Sequence, residues 1–266
     1  MPKKTAGVTN QQKKHNLSML ERADLALASR LVGEGVEEDL IAGAQRVLDG
    51  IRRPSPSDAE FVISLLRLRG FVLDDADAED VLAGRESRMS PLTQEYRLLR
   101  GLQKCLRMIR QRASQSVPPD GWFLVDLFRT MTAELPRFRN NDLRRSPPWD
   151  ALLYVNYPSP DQLRFLVDSF DCKRCYRDAP IVFNGMHPVR QGFRLMWRWA
   201  RIAPFPDFNA VIAWLGMNAW LHAKGFPLLR AEQGDQQFLS KLLSGPPPSK
   251  IVQFEARLVA AFETVR

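Results

Sequence analysis

A chain of 266 residues, 45% of them hydrophobic, is long enough to bury one large core or two small ones. Its net charge of +8 and pI near 9.7 either favour an anionic partner (nucleic acid, an acidic protein surface, an anionic membrane leaflet) or serve solubility alone. Three cysteines, Cys105, Cys172 and Cys175, do not make a disulfide framework and suit a cytoplasmic setting; no run is long enough for a transmembrane helix, so no membrane insertion is expected, and no secretory signal is visible.

Residues 1–18 read as a basic flexible tail, with Lys3, Lys4, Lys13 and Lys14. An N-terminal helical region follows over 19–85. Ser18 and Glu21 form a capping-box pattern for a helix to Leu31, which Gly33 and Gly35 break, and Val36 to Ile51 is amphipathic. Ser55-Pro56-Ser57-Asp58 predicts a turn into a helix from Ala59 to Gly70. The carboxylates Asp74, Asp75, Asp77, Glu79 and Asp80 lack calcium-loop spacing and read as a solvated helix start.

Ser90-Pro91 predicts a long helix to Ser114, with Leu92, Tyr96, Leu99, Leu102, Leu106 and Ile109 as its core stripe. Its basic residues, Arg97 to Arg112, then face outward as a binding surface or a solvated face. Further helices are expected from Gly121 to Leu135 and from Asp161 to Asp171. Cys172-Lys173-Arg174-Cys175 is a single CxxC without a second pair to complete a zinc site.

Two apolar helical patterns meet at the loop Ala203-Pro204-Phe205-Pro206-Asp207-Phe208-Asn209. Pro204 and Pro206 end the first helix at Ile202. That helix places Arg190, Arg194, Arg198 and Arg201 on one face, four basic groups that require anionic compensation from the fold or from a partner. Asn209 reads as the N-cap of a second helix, apolar nearly all round and therefore central, which Gly225 and Pro227 terminate. Helices to Leu243 and from Lys250 to Val265 make up a C-terminal part over 233–266.

Loop and flanking helices resemble the Fic domain family, which includes Doc and carries the signature HPFxDGNGRxxR followed by an apolar helix. In that register stand Ala203, Pro204, Phe205, Asp207, Phe208, Asn209, Ala210, Val211 and Trp214. The resemblance implies a mainly α fold over 86–232, a β-hairpin flap that pairs with an extended target, and AMP transfer from ATP with Mg²⁺. Its general base falls on Ala203, its two glycines on Phe208 and Ala210, and its phosphate-binding arginines on Val211 and Trp214. Of the polar apparatus only Asp207, the metal-ligand position, and Asn209 remain. Loss of a general base alone costs roughly 100- to 10,000-fold in rate.

The sequence therefore predicts a mainly α, Fic-like helical core with a small β-hairpin flap, N-terminal helices and a C-terminal helix. The expected function is that of a degenerate, catalytically inactive member without a cofactor, which binds and inhibits or regulates a cytosolic protein with an acidic surface. Arg137, Arg139, Tyr154 and Tyr157 of the flap, with Arg190, Arg194, Arg198 and Arg201, are the binding candidates. The alternatives are a nucleotidyl (AMP) transferase with an altered site, ATP and Mg²⁺, using His187 or His222 as base, and a nucleic-acid-binding protein. Ala28 to Gly33 resembles the family's inhibitory-helix pattern only with its key polar residues missing.

Overall fold

Local capping chemistry sets most helix boundaries in the computed structural model, which describes residues 56–115, 117, 119–139, 143–151, 155–170 and 188–231. The expectations placed on 1–55, 152–154, Cys172 and Cys175, His187 and 232–266 lie outside the described residues, as do the side chains of Arg190 and Arg194. Helix α1 (Asp58–Arg69) opens with a capping box: Glu60 N–H donates to Ser57 Oγ (3.1 Å) and Ser57 N–H to Glu60 Oε2 (2.8 Å). It closes on Gly70 at φ 98, where a side chain would be strained. Asp74 caps α2 (Asp75–Ala83), so the acidic cluster is that helix's first turn; it also receives Arg67 on Asp75, Arg88 on Asp77 and Arg85 on Asp80.

Helix α3 (Gln94–Ser114) starts four residues later than Ser90. Ser90 and Pro91 form a turn in which Thr93 N–H donates to Ser90 O (3.0 Å), and Thr93 is the cap. Leu92 consequently leaves the core stripe and is exposed. Helix α4 (Gly121–Thr132), capped by Asp120, crosses α3 so closely that a Cβ on Gly101 would lie 2.2 Å from Met131 O. A 3₁₀ turn at Pro160–Gln162 leads into α5 (Leu163–Ser169).

Helix α6 (Pro188–Ile202) and helix α7 (Asn209–Ala223) are the pair expected around the loop. α7 is central: it packs on α6, α3, α1 and α4 and is buried at Asn209 and from Val211 to Leu221. Its end follows the left-handed pattern, with Gly225 at φ 82 and Phe226 N–H donating to Leu221 O (3.0 Å). Asn218 and Trp214 then hold the following segment. Leu229 N–H donates to Asn218 Oδ1 (2.6 Å), and Trp214 Nε1 donates to Leu229 O (2.8 Å).

Five basic residues of α3, Arg97, Arg100, Lys104, Arg110 and Arg112, find partners inside the fold. Arg110 pairs with Asp58 through both oxygens (2.8 and 2.5 Å), Arg112 with Asp120 (2.6 Å) and Lys104 with Glu134 (3.2 Å). Arg97 and Arg100 donate to the carbonyls of Glu134 (3.2 Å) and Val81 (3.4 Å). A lopsided helix is thus balanced by carboxylates and carbonyls distant in sequence.

The fold is mainly α. No β-strand runs through the described residues, and Arg137-Phe138-Arg139, one expected side of the hairpin flap, lies instead in and just after a 3₁₀ turn at Pro136–Phe138. Pro136 fixes the helical φ of that turn, and Phe138 is drawn into the core against Phe128 (5.5 Å between ring centroids). No helix among the described residues is long and apolar enough to cross a membrane.

Candidate functional site: a buried motif loop

The loop begins where α6 stops. Ala203 N–H still donates to Trp199 O (3.0 Å), but Ala203 itself turns left-handed at φ 42, the helix-ending conformation usually given to glycine. Its carbonyl accepts Arg144 Nε (2.7 Å). The buried Arg144 guanidinium also donates to Ser146 O (3.2 Å) and Pro158 O (2.6 Å), so every arm ends on a backbone carbonyl. Burial holds its pKa below the ordinary arginine value.

Residues 143–150 lie along the loop. Arg144 N–H donates to Pro204 O (2.8 Å) and Trp149 N–H to Pro206 O (2.7 Å). The segment between the two expected sides of the flap, residues 137–139 and 152–157, is here bonded to the motif itself. Beneath it, Phe205 stacks on Phe128 with centroids 4.2 Å apart.

Asn209 is the first residue of α7 and not its N-cap. Phe208 occupies the cap position in a left-handed conformation (φ 64), and no side chain of its own caps the helix. The Asn209 side chain points back into the loop: Phe205 N–H donates to Oδ1 (2.9 Å), and Nδ2 donates to Phe205 O (3.0 Å). Capping falls to Asp150, whose Oδ2 accepts Asn209 N–H (2.8 Å) while Oδ1 accepts Nδ2 (2.8 Å). Burial raises the pKa of Asp150 and the nearby Asp207 adds to the rise, against the lowering effect of the Asn209 bonds.

Asp207, 3% exposed, is held by two arginines. Arg69, at the end of α1, approaches both oxygens, Nε to Oδ1 at 2.6 Å and Nη2 to Oδ2 at 3.2 Å, and Arg137 Nη2 lies 3.7 Å from Oδ2. Phe208 N–H donates to Oδ1 as well (2.7 Å). The bond to Asp207 raises the pKa of Arg69. The Mg²⁺ ion that the Fic fold implies does not fit these residues, because guanidinium and amide donors already surround its expected ligand. Among the described residues no group of three potential metal ligands converges anywhere.

The other motif positions have become core. Ala203, Pro204, Phe205, Phe208, Val211 and Trp214 are buried, and Ala210 is half-buried. The Phe208 ring lies between Phe71 (6.2 Å) and Phe138 (5.8 Å), with Arg69 Cζ 5.8 Å from its centroid.

Of the expected binding residues whose side chains are described, Arg137 joins this cluster. Its guanidinium also covers Phe138 (4.7 Å) and Trp149 (5.6 Å). Arg139 is exposed, and Tyr157 sits half-buried by the charge of Arg144. On α6, Arg198 and Arg201 are half-buried, not displayed on an open face: Arg201 packs over Trp197 (5.2 Å), and Arg198 Nη1 is enclosed with no acceptor among the described residues. The cause is burial of α6 on nearly every side, from Phe193 to Ile202. His222 stands thirteen residues along α7 from Asn209, about 20 Å at 1.5 Å per residue, too far to replace a base at the loop.

Arg69, Arg144 and Asp150 carry this site and left no local signal in the sequence. Their partners lie 138, 59 and 59 residues away. Asp150 follows Trp149 in a proline turn and resembles any polar loop residue.

No family model matches the sequence, and no curated protein matches it significantly. Solved structures do. A Fic domain containing signaling protein from Bacteroides thetaiotaomicron superposes with a TM-score of 0.65 at 20% identity, over 86% of this chain and 95% of that one. Fic-1 from C. elegans (residues 134–508) gives a TM-score of 0.67 at 14% identity, over 94% of this chain and 78% of that one. Helices meeting at a proline-bounded loop with Asp207 and Asn209, and a superposition spanning most of the chain, together identify the architecture as the Fic fold.

Proposed function

We propose that the protein is a catalytically inactive Fic-like protein that acts by binding, as an inhibitor or regulator of a cytosolic protein with an acidic surface. One observation carries the reading. The positions of the base and of the two arginines are Ala203, Val211 and Trp214, and all three are buried: Val211 within the core, Trp214 bonded to Leu229 O, and Ala203 turned into a helix end. A buried alkyl side chain neither accepts a proton nor pairs with a phosphate.

A docking surface remains beside the loop. Trp149, 54% exposed, stands next to the exposed Arg137 (5.6 Å from Cζ to its ring centroid), and the exposed Arg139 lies two residues along the chain from Arg137. Aromatic and arginine side chains are the residue types on which binding energy concentrates, and the basic pair suits an acidic partner.

Calorimetric titration with ATP and other nucleotides, with and without Mg²⁺, tests the reading together with transfer assays on candidate proteins. The expected result is no binding below the millimolar range and no transfer. Nucleotide transfer that Asp207→Ala abolishes would instead establish a transferase with an altered site.

A further inference from the structure

We infer that Arg69 takes the place of the divalent cation at Asp207, so that the motif loop is held together by a guanidinium of the chain itself and has no use for a metal. The inference rests on the non-catalytic reading of the loop and adds what replaces its cofactor.

Mg²⁺ takes oxygen ligands at about 2.0–2.1 Å in near-octahedral array. Asp207 has no oxygen open for that purpose. Oδ1 accepts Arg69 Nε and Phe208 N–H at 2.6 and 2.7 Å, while Oδ2 faces Arg69 Nη2 at 3.2 Å and Arg137 Nη2 at 3.7 Å. An incoming dication would also meet two positive charges at close range.

The charges close without it. Asp207 and Asp150 bring two negative groups to the loop, and Arg69 and Arg137 bring two positive ones. Arg69 is moreover fixed in place. The left-handed turn at Gly70 sends the chain back so that Arg69 and Phe71 grip Phe208 and its neighbour together, Arg69 on the Asp207 carboxylate and Phe71 parallel to the Phe208 ring. A planar fork matches both carboxylate oxygens at once, which a lysine ammonium cannot do.

The test uses the full chain as wild type, R69M, R69K and D207N. Uptake of Mn²⁺ is read from the EPR signal of the free ion, and Tm is measured in MgCl₂ and in NaCl of equal ionic strength. Wild type is expected to leave Mn²⁺ free and to melt at the same temperature in both salts. R69M keeps the length of the stem but uncovers Asp207 near Asp150; it is expected to melt lower, to take up Mn²⁺ and to regain part of its Tm in MgCl₂. If R69M fails to fold, R69K carries the test: a lower Tm without Mn²⁺ uptake is expected, because one ammonium still repels the ion but spans only one oxygen.

Uptake of Mn²⁺ by wild type that D207N abolishes overturns the inference. So does an R69M protein that folds but takes up no Mn²⁺, or an R69K protein that melts with wild type. Metal uptake at Asp207 without nucleotide transfer overturns this inference alone and leaves the non-catalytic reading standing.

Discussion

Phe71 lies parallel to Phe208, their planes 3° apart and their centroids at 6.2 Å, although Phe208 holds the left-handed backbone that a bulky residue avoids. Such a backbone costs about 1–3 kcal/mol, whereas truncating a buried phenylalanine costs about 3–5 kcal/mol. Packing is the larger effect. Phe208→Gly is therefore expected to destabilise the protein by about 2 kcal/mol in urea unfolding, despite relieving the strained φ. A more stable glycine variant would mean that strain outweighs the aromatic stack.

Asn209→Ala removes the bonds that hold Phe205 N–H and carbonyl and leaves Asp150 Oδ1 without its partner. Buried polar groups stripped of partners cost about 1–3 kcal/mol each, so a loss of roughly 3 kcal/mol is expected. A double-mutant cycle with Asp150→Ala should reveal strong coupling, since the two side chains share a bond. Simple additivity would place them in separate networks.

Much of this architecture is legible in the sequence. The helices of 58–83 and the end of α7 follow from Ser57, Glu60, Asp74 and Gly225, because a cap acts on groups within a few residues of itself. The apolar character of Ala210 to Lys224 marks the central helix, and the loop register marks the Fic fold. Asn209 misleads: it has the right chemistry for a cap, but its amide is spent on Phe205 and Asp150. Arg69 and Asp150 leave no mark in the sequence because the contacts that give them meaning span 138 and 59 residues. The flap expectation fails at 136–138 because Pro136 and the pull of Phe138 into the core favour a tight turn there.

Asp150 gives the loop a pH dependence of its own. Its folded-state pKa is raised above the ordinary aspartate value, so the native state holds its proton more tightly than the unfolded chain does. Stability from this group is then fully present below the ordinary value and is lost as pH rises through the raised folded pKa. Against Asp150→Asn, which does not titrate, the wild type should gain relative stability as pH falls from about 7 toward about 4. Urea unfolding of both proteins across that range measures it. A relative loss on acidification would show that the Asn209 bonds govern this carboxylate and burial does not.

On the non-catalytic reading, a base returned to the loop is not expected to give transfer activity. Ala203→His places an imidazole in a buried site whose carbonyl is held by Arg144, while Val211 and Trp214 still offer nothing to a phosphate. Transfer from labelled ATP is expected to stay at background, with a lowered Tm from the added bulk. Transfer above background would mean that the loop still admits a nucleotide.

The burial of the motif loop makes single changes toward the Fic signature costly. A glycine at 208 opens a void between Phe71 and Phe138, an arginine at 211 places a charge in apolar core, and an arginine at 214 removes one of the bonds that tie Leu229 to the central helix. Each such step is expected to lower stability. The loop residues support one another, so a loop with the Fic signature requires several coordinated changes at once.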